Sequence, residues 1–454
     1  MFNRSFEEMG FPPGFEPPWW RYFAVLVWGV AAVLAYRFYW VITTYAVNLF
    51  FLDEWDIYDP LFQASPWWRF FLEQHGPHRQ GLGVTIVAWL LKGAHWDSRV
   101  QAYAIGAAMV LAMALAVRLK AIVFGSLCLV DIIIPVIFLG LGQWEILLSS
   151  PGPSDEAFAL LLLVLYCLAW IQRRAWFRYT AIVALNFLLI YTGFGIFVAV
   201  ITLALLAVDC YQKLKAGNGN VVGPFLAWIA AAASLGSFFY GYVFNPAADC
   251  FQFPYRNFAA YPWFMGLMFA KFLGIKHGVV FPSLVGIAVV IVLVGVLARN
   301  LWLVLKRGMA QGGILVVAIL TGYSLLYAAA AAVGRVCLGM GAAGASRYLT
   351  LLIPAFLGIY FHLLMRRSGY QRTLLMSMVL LTVLPSCVQR NHKEIEGFSA
   401  MKHAWKDCYR AIENVQYCDS FSHLQLYPRP PATHLQDKLN YLKQNRLNLY
   451  ANAQ

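Results

Sequence analysis

Charged residues are what this sequence has least of: only 12% of its 454 positions are Asp, Glu, Lys or Arg, against 61% that are hydrophobic. The eight Cys include no CxxC pair, so neither a zinc motif nor a dithiol redox motif is visible. The first apolar run, beginning near Trp20, lacks a small-residue cleavage site and reads as a retained anchor, not a removed signal peptide. No inverted internal repeat of the kind common in transporters stands out. Acidic residues are the scarcer sign, 21 Asp and Glu against 34 Lys and Arg, for a net charge of +13. The clustered basic residues fall in short loops between apolar runs, where they act as topology signals, and that placement argues against nucleic acid as a partner.

What the chain does contain is hydrocarbon, with 16 Trp, 24 Tyr and 33 Phe and apolar runs from end to end. Runs of about 20 apolar residues are too long for barrel strands and predict an all-α polytopic membrane protein. A bundle of about 11 transmembrane helices is expected. Residues 1–20, with Pro12, Pro13, Pro17 and Pro18, should form an irregular lead-in. Span one runs from about Arg21 to Val47. Pro60 to Glu73 and Gln80 to Lys92 read as amphipathic helices lying in the interface, where Trp is preferred. Span two, Gln101 to Val117, should stop at Arg118 and Lys120, and span three should continue to about Leu141. Span four ends at Arg173 and Arg174; spans five and six form a hairpin broken at Tyr191 to Gly195, and span seven covers Val221 to Phe244.

Pro262 to His277 is apolar but short, and reads as a re-entrant or interfacial helix. Only then do Lys306, Arg307, Arg366, Arg367 and Arg372 share a side with Arg118, Arg173 and Lys213. Ser283 to Leu305, Gly313 to Val333, Tyr348 to Leu364 and Thr373 to Val388 complete the count. The charge bias puts the amino terminus in the cytoplasm and the carboxyl tail outside. Two regions follow: a transmembrane domain, 1–388, whose outer loop 48–100 carries the interfacial helices, and a small extracytoplasmic C-terminal cap, 389–454. Cys408 and Cys418 in that cap are candidates for a disulfide.

Against this background one loop is dense with charge. FLDEWDIYDPLFQASPWWRFFLEQHGPHR, residues 51–79, holds Asp53, Glu54, Asp56, Asp59, Glu73, His75, His78 and Arg79, and charges held near lipid are more often functional than ornamental. Asp53, just past span one, suits a general base, with Glu54 beside it. Asp53 and Asp56 are equally open to holding a divalent cation or pairing with Arg69 and Arg79. His75, His78 and Arg79 could grip a phosphate, or anchor head groups. Arg335 and Arg347 flank a glycine-rich outer loop suited to an anionic lipid head, or fix two span ends at the interface. Asp131, within span three, needs a partner.

In order, DEWD at 53–56, QHGPHR at 74–79, GQWEILL at 142–148, GR at 334–335 and ASRY at 345–348 resemble a bacterial branch of the C-type (GT-C) glycosyltransferase superfamily, from about Leu52 to Tyr348. In that branch an acidic residue usually precedes the His-Arg pair, where this chain has Pro77; its role would be absent or taken by Glu73. The resemblance implies an inverting transfer of sugar from a polyprenyl-phosphate donor to an envelope acceptor on the periplasmic face of the inner membrane. It implies Asp53 as catalytic base with Glu54 as runner-up, and His75, His78, Arg79, Arg335 and Arg347 on the donor phosphate. Asp56, Trp144, Glu145 and Tyr348 would line the sugar or acceptor pocket. Acceptors in the superfamily include lipopolysaccharide, other glycans and surface proteins such as pilin, an arabinosyltransferase acting on pilin being one version. No cofactor is required, although a divalent cation is compatible. The rival is a transporter or flippase of a lipid-linked glycan, which should keep its ionisable residues near the bilayer midplane.

Overall fold

The structure is a computed structural model that describes residues 19–148, 154–217, 220–243, 251, 253–275, 278–309, 311–365, 373, 377, 391–427 and 434–451. The lead-in up to residue 18, most of the expected span Thr373 to Val388, and the basic stretch 366–372 lie outside them. Almost everything described is helical. Helix α1 (Trp19–Tyr45) enters an acidic loop of short helices, α2 (Glu54–Ile57), α3 (Asp59–Phe62) and α4 (Trp67–Leu72). A two-residue hairpin, β1 (Gln74–His75) and β2 (His78–Arg79), pairs antiparallel with His75 opposite His78. Then come α5 (Gly81–Gly93), α6 (Arg99–Phe124), α7 (Ile133–Phe138), α8 (Glu145–Leu148), α9 (Ala159–Trp170), α10 (Ala175–Ile190), α11 (Ile196–Lys215) and α12 (Val222–Phe239). Helices α13 (Ala260–Phe272), α14 (Val280–Arg307), α15 (Gly312–Arg335) and α16 (Ile353–Leu364) complete the bundle; α17 (His392–Ile412), α18 (Val415–Ser422) and α19 (Leu435–Gln444) follow it.

Among the described residues, seven helical segments are long and apolar enough to cross a membrane: Tyr22–Tyr45, Arg99–Phe124, Ile196–Lys215, Val222–Phe239, Val280–Arg307, Gly312–Leu338 and Ser346–Leu364. Leu129–Gln143, Glu156–Trp170 and Ala175–Ile190 are shorter apolar helices, at the positions of expected spans three, four and five.

Span two does not stop at its basic residues. Helix α6 runs through Arg118 and Lys120 to Phe124, because Lys120 is fully buried and its Nζ lies 2.8 Å from the equally buried Asp131. Tyr360 donates to the same carboxylate, as does the Cys128 backbone N–H at 2.6 Å. Lys120, which looks in sequence like a helix terminator, is the partner that Asp131 needs.

The α10–α11 break falls where expected. At Gly195 an added Cβ would sit 2.0 Å from the Leu189 carbonyl oxygen, so no larger residue fits the turn. Before helix α13 in the chain Tyr240 touches Arg79 of the hairpin, and after it the end of α14 lies beside Gln212 of α11. The close approach of α13 to α14 depends on Gly266 and Gly286, since a Cβ on Gly286 would fall 1.7 Å from the Gly266 oxygen.

The acidic loop and the C-terminal helices share one hydrophobic core. Trp55, Tyr58 and Trp96 pack with Trp405, Tyr409, Leu426, Leu439 and Leu442, separately from the core of the bundle. The loop expected to belong to the transmembrane domain is therefore built jointly with residues 392–450. Cys408 and Cys418 are disulfide-bonded.

Candidate functional site

Chain leaving α1 is buried from Val47 to Phe51 and then turns sharply. Leu52 makes the turn in the left-handed region, φ +49°, a conformation that costs a branched residue about 1 kcal/mol or more. Its N–H donates to the Leu426 carbonyl at 2.9 Å. Asp53 follows at the head of α2, and its Oδ2 lies 3.5 Å from His75 Nε2.

The hairpin that carries His75 is bracketed to the end of α12. Its turn uses Gly76 at φ +55°. The Gln74 side chain exchanges two hydrogen bonds with the Val243 backbone, at 2.7 and 3.1 Å, and Tyr242 donates to the Pro77 carbonyl. Burial pushes the Asp53 carboxyl up, but the His75 hydrogen bond and the positive fields of Arg347 and Arg335 outweigh it and hold the group below the ordinary carboxylate value. Asp53 is thus ionised and partly open to solvent.

Arg335 and Arg347 come from the turns that link α15 to α16. Arg335 ends α15 and, among the described residues, has no hydrogen-bonded or ion-paired partner. Arg347 packs over Tyr348, 5.6 Å from the ring centroid, and its backbone N–H donates to Glu145 Oε2 at 3.2 Å. The Glu145 N–H in turn donates to Ser346 Oγ at 3.1 Å. The GQWE and ASRY segments therefore clasp each other and fix the guanidinium between them. His78 packs on Phe194, centroids 4.6 Å apart; desolvation, Arg335 and His75 all depress its pKa, so it is a neutral imidazole. The face that results holds one carboxylate, two imidazoles and two guanidinium groups.

Other residues expected in the site are turned elsewhere. Arg79 is 4% exposed and donates to the Tyr240 carbonyl at 2.5 Å, over Phe238; it anchors the hairpin and does not face Asp53. Asp56 accepts from Tyr427 and lies 3.9 Å from Lys438, which also pairs with Asp59 at 2.8 Å. Neither Arg69 nor Arg79 pairs with it. Trp144 is buried, donates to Glu394 at 3.3 Å and packs on Phe398, so it joins the bundle to α17. Tyr348 is buried beneath Arg347. Glu156 was not expected: in the π-helical turn Ser154–Phe158 it is 6% exposed and acts electrostatically on Arg347. Its only signal in sequence is a carboxylate at the head of an apolar run. Among the described residues no three His, Cys, Asp or Glu converge as a metal-binding group, and Asp56, half of the expected cation pair, is committed to Lys438.

Glu54 points away from Asp53 into the joint core. It accepts from the Phe51 N–H and from Gln101 Nε2, both at 2.7 Å, and shares a cavity of about 20 Å³, room for one water, with Gln101, Arg99 and Lys402. Burial raises its pKa to about 7, although Lys402 pulls the other way. With a folded pKa above its unfolded one, its contribution to stability is complete in acid and is lost as pH rises through about 7. Glu54→Gln should therefore flatten the fall in unfolding midpoint between about pH 5 and 8. Thermal unfolding of both proteins across that range checks it.

No family model, curated protein or solved structure matches this chain.

Proposed function

We propose that this chain is a GT-C-like glycosyltransferase that moves a sugar from a polyprenyl-phosphate donor to an envelope acceptor, with inversion, at the periplasmic face of a bacterial inner membrane. The observation that carries the reading is the single outer face on which an ionised Asp53, bridged to His75, lies within the fields of Arg335 and Arg347. Base and phosphate-binding charges are what such a displacement needs. The acceptor hydroxyl gives its proton to Asp53 as its oxygen bonds to the anomeric carbon, and the bond to the lipid phosphate breaks. Arg335 and Arg347 offset the charge gathering on that phosphate, with neutral His78 as a donor beside them. Glu145 and Glu156 position Arg347.

Two features support the orientation. Cys337, on the link after Arg335, and the Cys408–Cys418 pair are disulfide-bonded, whereas Cys210, near Lys213 at the other end of the bundle, is free. Disulfides belong to the oxidising side. About 11 crossings, an amino terminus in the cytoplasm, and pilin or lipopolysaccharide as acceptor complete the proposal. A flippase would need mobile charge near the midplane; Asp131, the main candidate in the sequence, is locked to Lys120 and Tyr360.

The test is the intact mass of surface pilins and lipopolysaccharide in a deletion strain complemented with the wild-type gene. A sugar-sized increment restored by the gene supports transfer, and unchanged masses in the deletion strain count against it. With a purified lipid-phosphate donor, Arg335→Ala should weaken donor binding about 10- to 100-fold, the worth of one charged hydrogen bond. Titration calorimetry in nanodiscs measures the loss; unimpaired binding removes Arg335 from the phosphate site.

A further inference from the structure

The C-terminal helices hold the acidic loop on both sides of Asp53. Before it, the strained Leu52 donates to Leu426. After it, Lys438 donates to the Trp55 carbonyl at 2.6 Å and pairs with Asp59, while Tyr427 donates to Asp56. A leucine does not stay in the left-handed region unaided, and release of this one would swing Asp53 away from His75. The irregular segment that supplies Leu426 is itself held by a side chain of α18. Asp419 Oδ1 accepts both the Leu426 N–H at 3.2 Å and the indole N–H of the fully buried Trp405 at 2.6 Å. Trp405 and Cys408 share a turn of α17, Asp419 follows Cys418 in α18, and the disulfide ties the two helices together at that point.

We propose that the C-terminal helices form a clamp that sets the position of Asp53, with Asp419 as its positioning residue and the Cys408–Cys418 disulfide as its fastener. The catalytic half of this inference rests on the transferase reading; the mechanical half does not. Asp419 touches no reacting atom. It acts through Leu426 and Leu52, the latter one peptide link from Asp53.

The experiment uses full-length protein in nanodiscs, with hydrogen exchange of the peptide covering residues 50–58 and steady-state kinetics on a lipid-phosphate donor. Asp419→Asn keeps an acceptor oxygen for both bonds and should hold wild-type protection, with kcat within about threefold. Asp419→Ala should raise exchange at 50–58 while α14 and α15 stay protected, and lower kcat about 30- to 100-fold at unchanged donor KM, the scale of a misplacement near 1 Å. Mild reduction of the wild-type Cys408–Cys418 pair, verified by peptide mass, should open the same peptide first, which serves if the alanine variant does not fold. Unchanged exchange at 50–58 in both the alanine variant and the reduced protein overturns the clamp. So does exchange that rises uniformly through the bundle, which would make Asp419 a stability residue only. If wild type transfers no sugar, the exchange results still decide the clamp, and only the transferase reading falls.

Discussion

Asp53→Asn should lower sugar transfer by about 10³-fold, at the upper part of what a positioned base contributes, without unfolding the protein. The carboxylate is partly exposed and pairs with His75 at 3.5 Å, so the amide fits in its place. Donor binding should survive, because Arg335 and Arg347 remain. The loss should therefore fall on kcat and leave donor KM within about twofold. Retained turnover in Asp53→Asn would remove the residue from the mechanism.

Its pH dependence separates this carboxylate from any other. In the free protein, Arg347, Arg335 and His75 together hold Asp53 below the ordinary carboxylate value. The acid limb of kcat/KM, which reports free enzyme, should accordingly fall at unusually low pH. A bound phosphodiester brings a negative charge that offsets the two guanidinium groups, so the Asp53 pKa must rise in the donor complex. The acid limb of kcat should then lie at higher pH than that of kcat/KM. Donor binding would make the base stronger only when there is a sugar to transfer. Coincident limbs would mean that the phosphate does not sit between Asp53 and the arginines.

The second large effect is on stability. Asp131→Ala leaves Lys120, fully buried, without its carboxylate and Tyr360 without its acceptor. Breaking a buried pair from one side costs about 3–5 kcal/mol. Removing both charges together, with Lys120→Met, Asp131→Leu and Tyr360→Phe, should recover most of that loss, because a well-packed apolar replacement of a buried pair is often neutral or stabilising by about 1–4 kcal/mol. Thermal unfolding in one detergent, followed by tryptophan emission, compares the proteins. A single variant as stable as wild type would mean that the pair is not buried as described.

Local patterns in the sequence were sufficient for local features. The apolar runs located the helices, and the YTGFG stretch located the α10–α11 turn. Long-range pairing was out of reach, since periodicity carries no information on partners far away in the chain. Asp53, Glu54, Asp56 and Asp59 are equivalent carboxylates in sequence. In the fold, Asp53 meets His75, Glu54 meets Gln101, and Asp56 and Asp59 meet Lys438. Arg79 and Trp144 mislead for a related reason: an amphipathic side chain next to a charged motif can as readily brace the backbone that displays the motif.

The joint core of the acidic loop and the C-terminal helices has a consequence for biosynthesis. Trp55 and the Lys438 that grips it are 383 residues apart, so at about 5–20 residues per second the loop waits roughly 20–80 s on the ribosome's schedule for the segment that completes it. Through that interval the bundle can insert, but the apolar face of the loop has nothing to bury against. A nascent or prematurely terminated chain thus lacks part of the core around Trp55 even with every earlier helix in place.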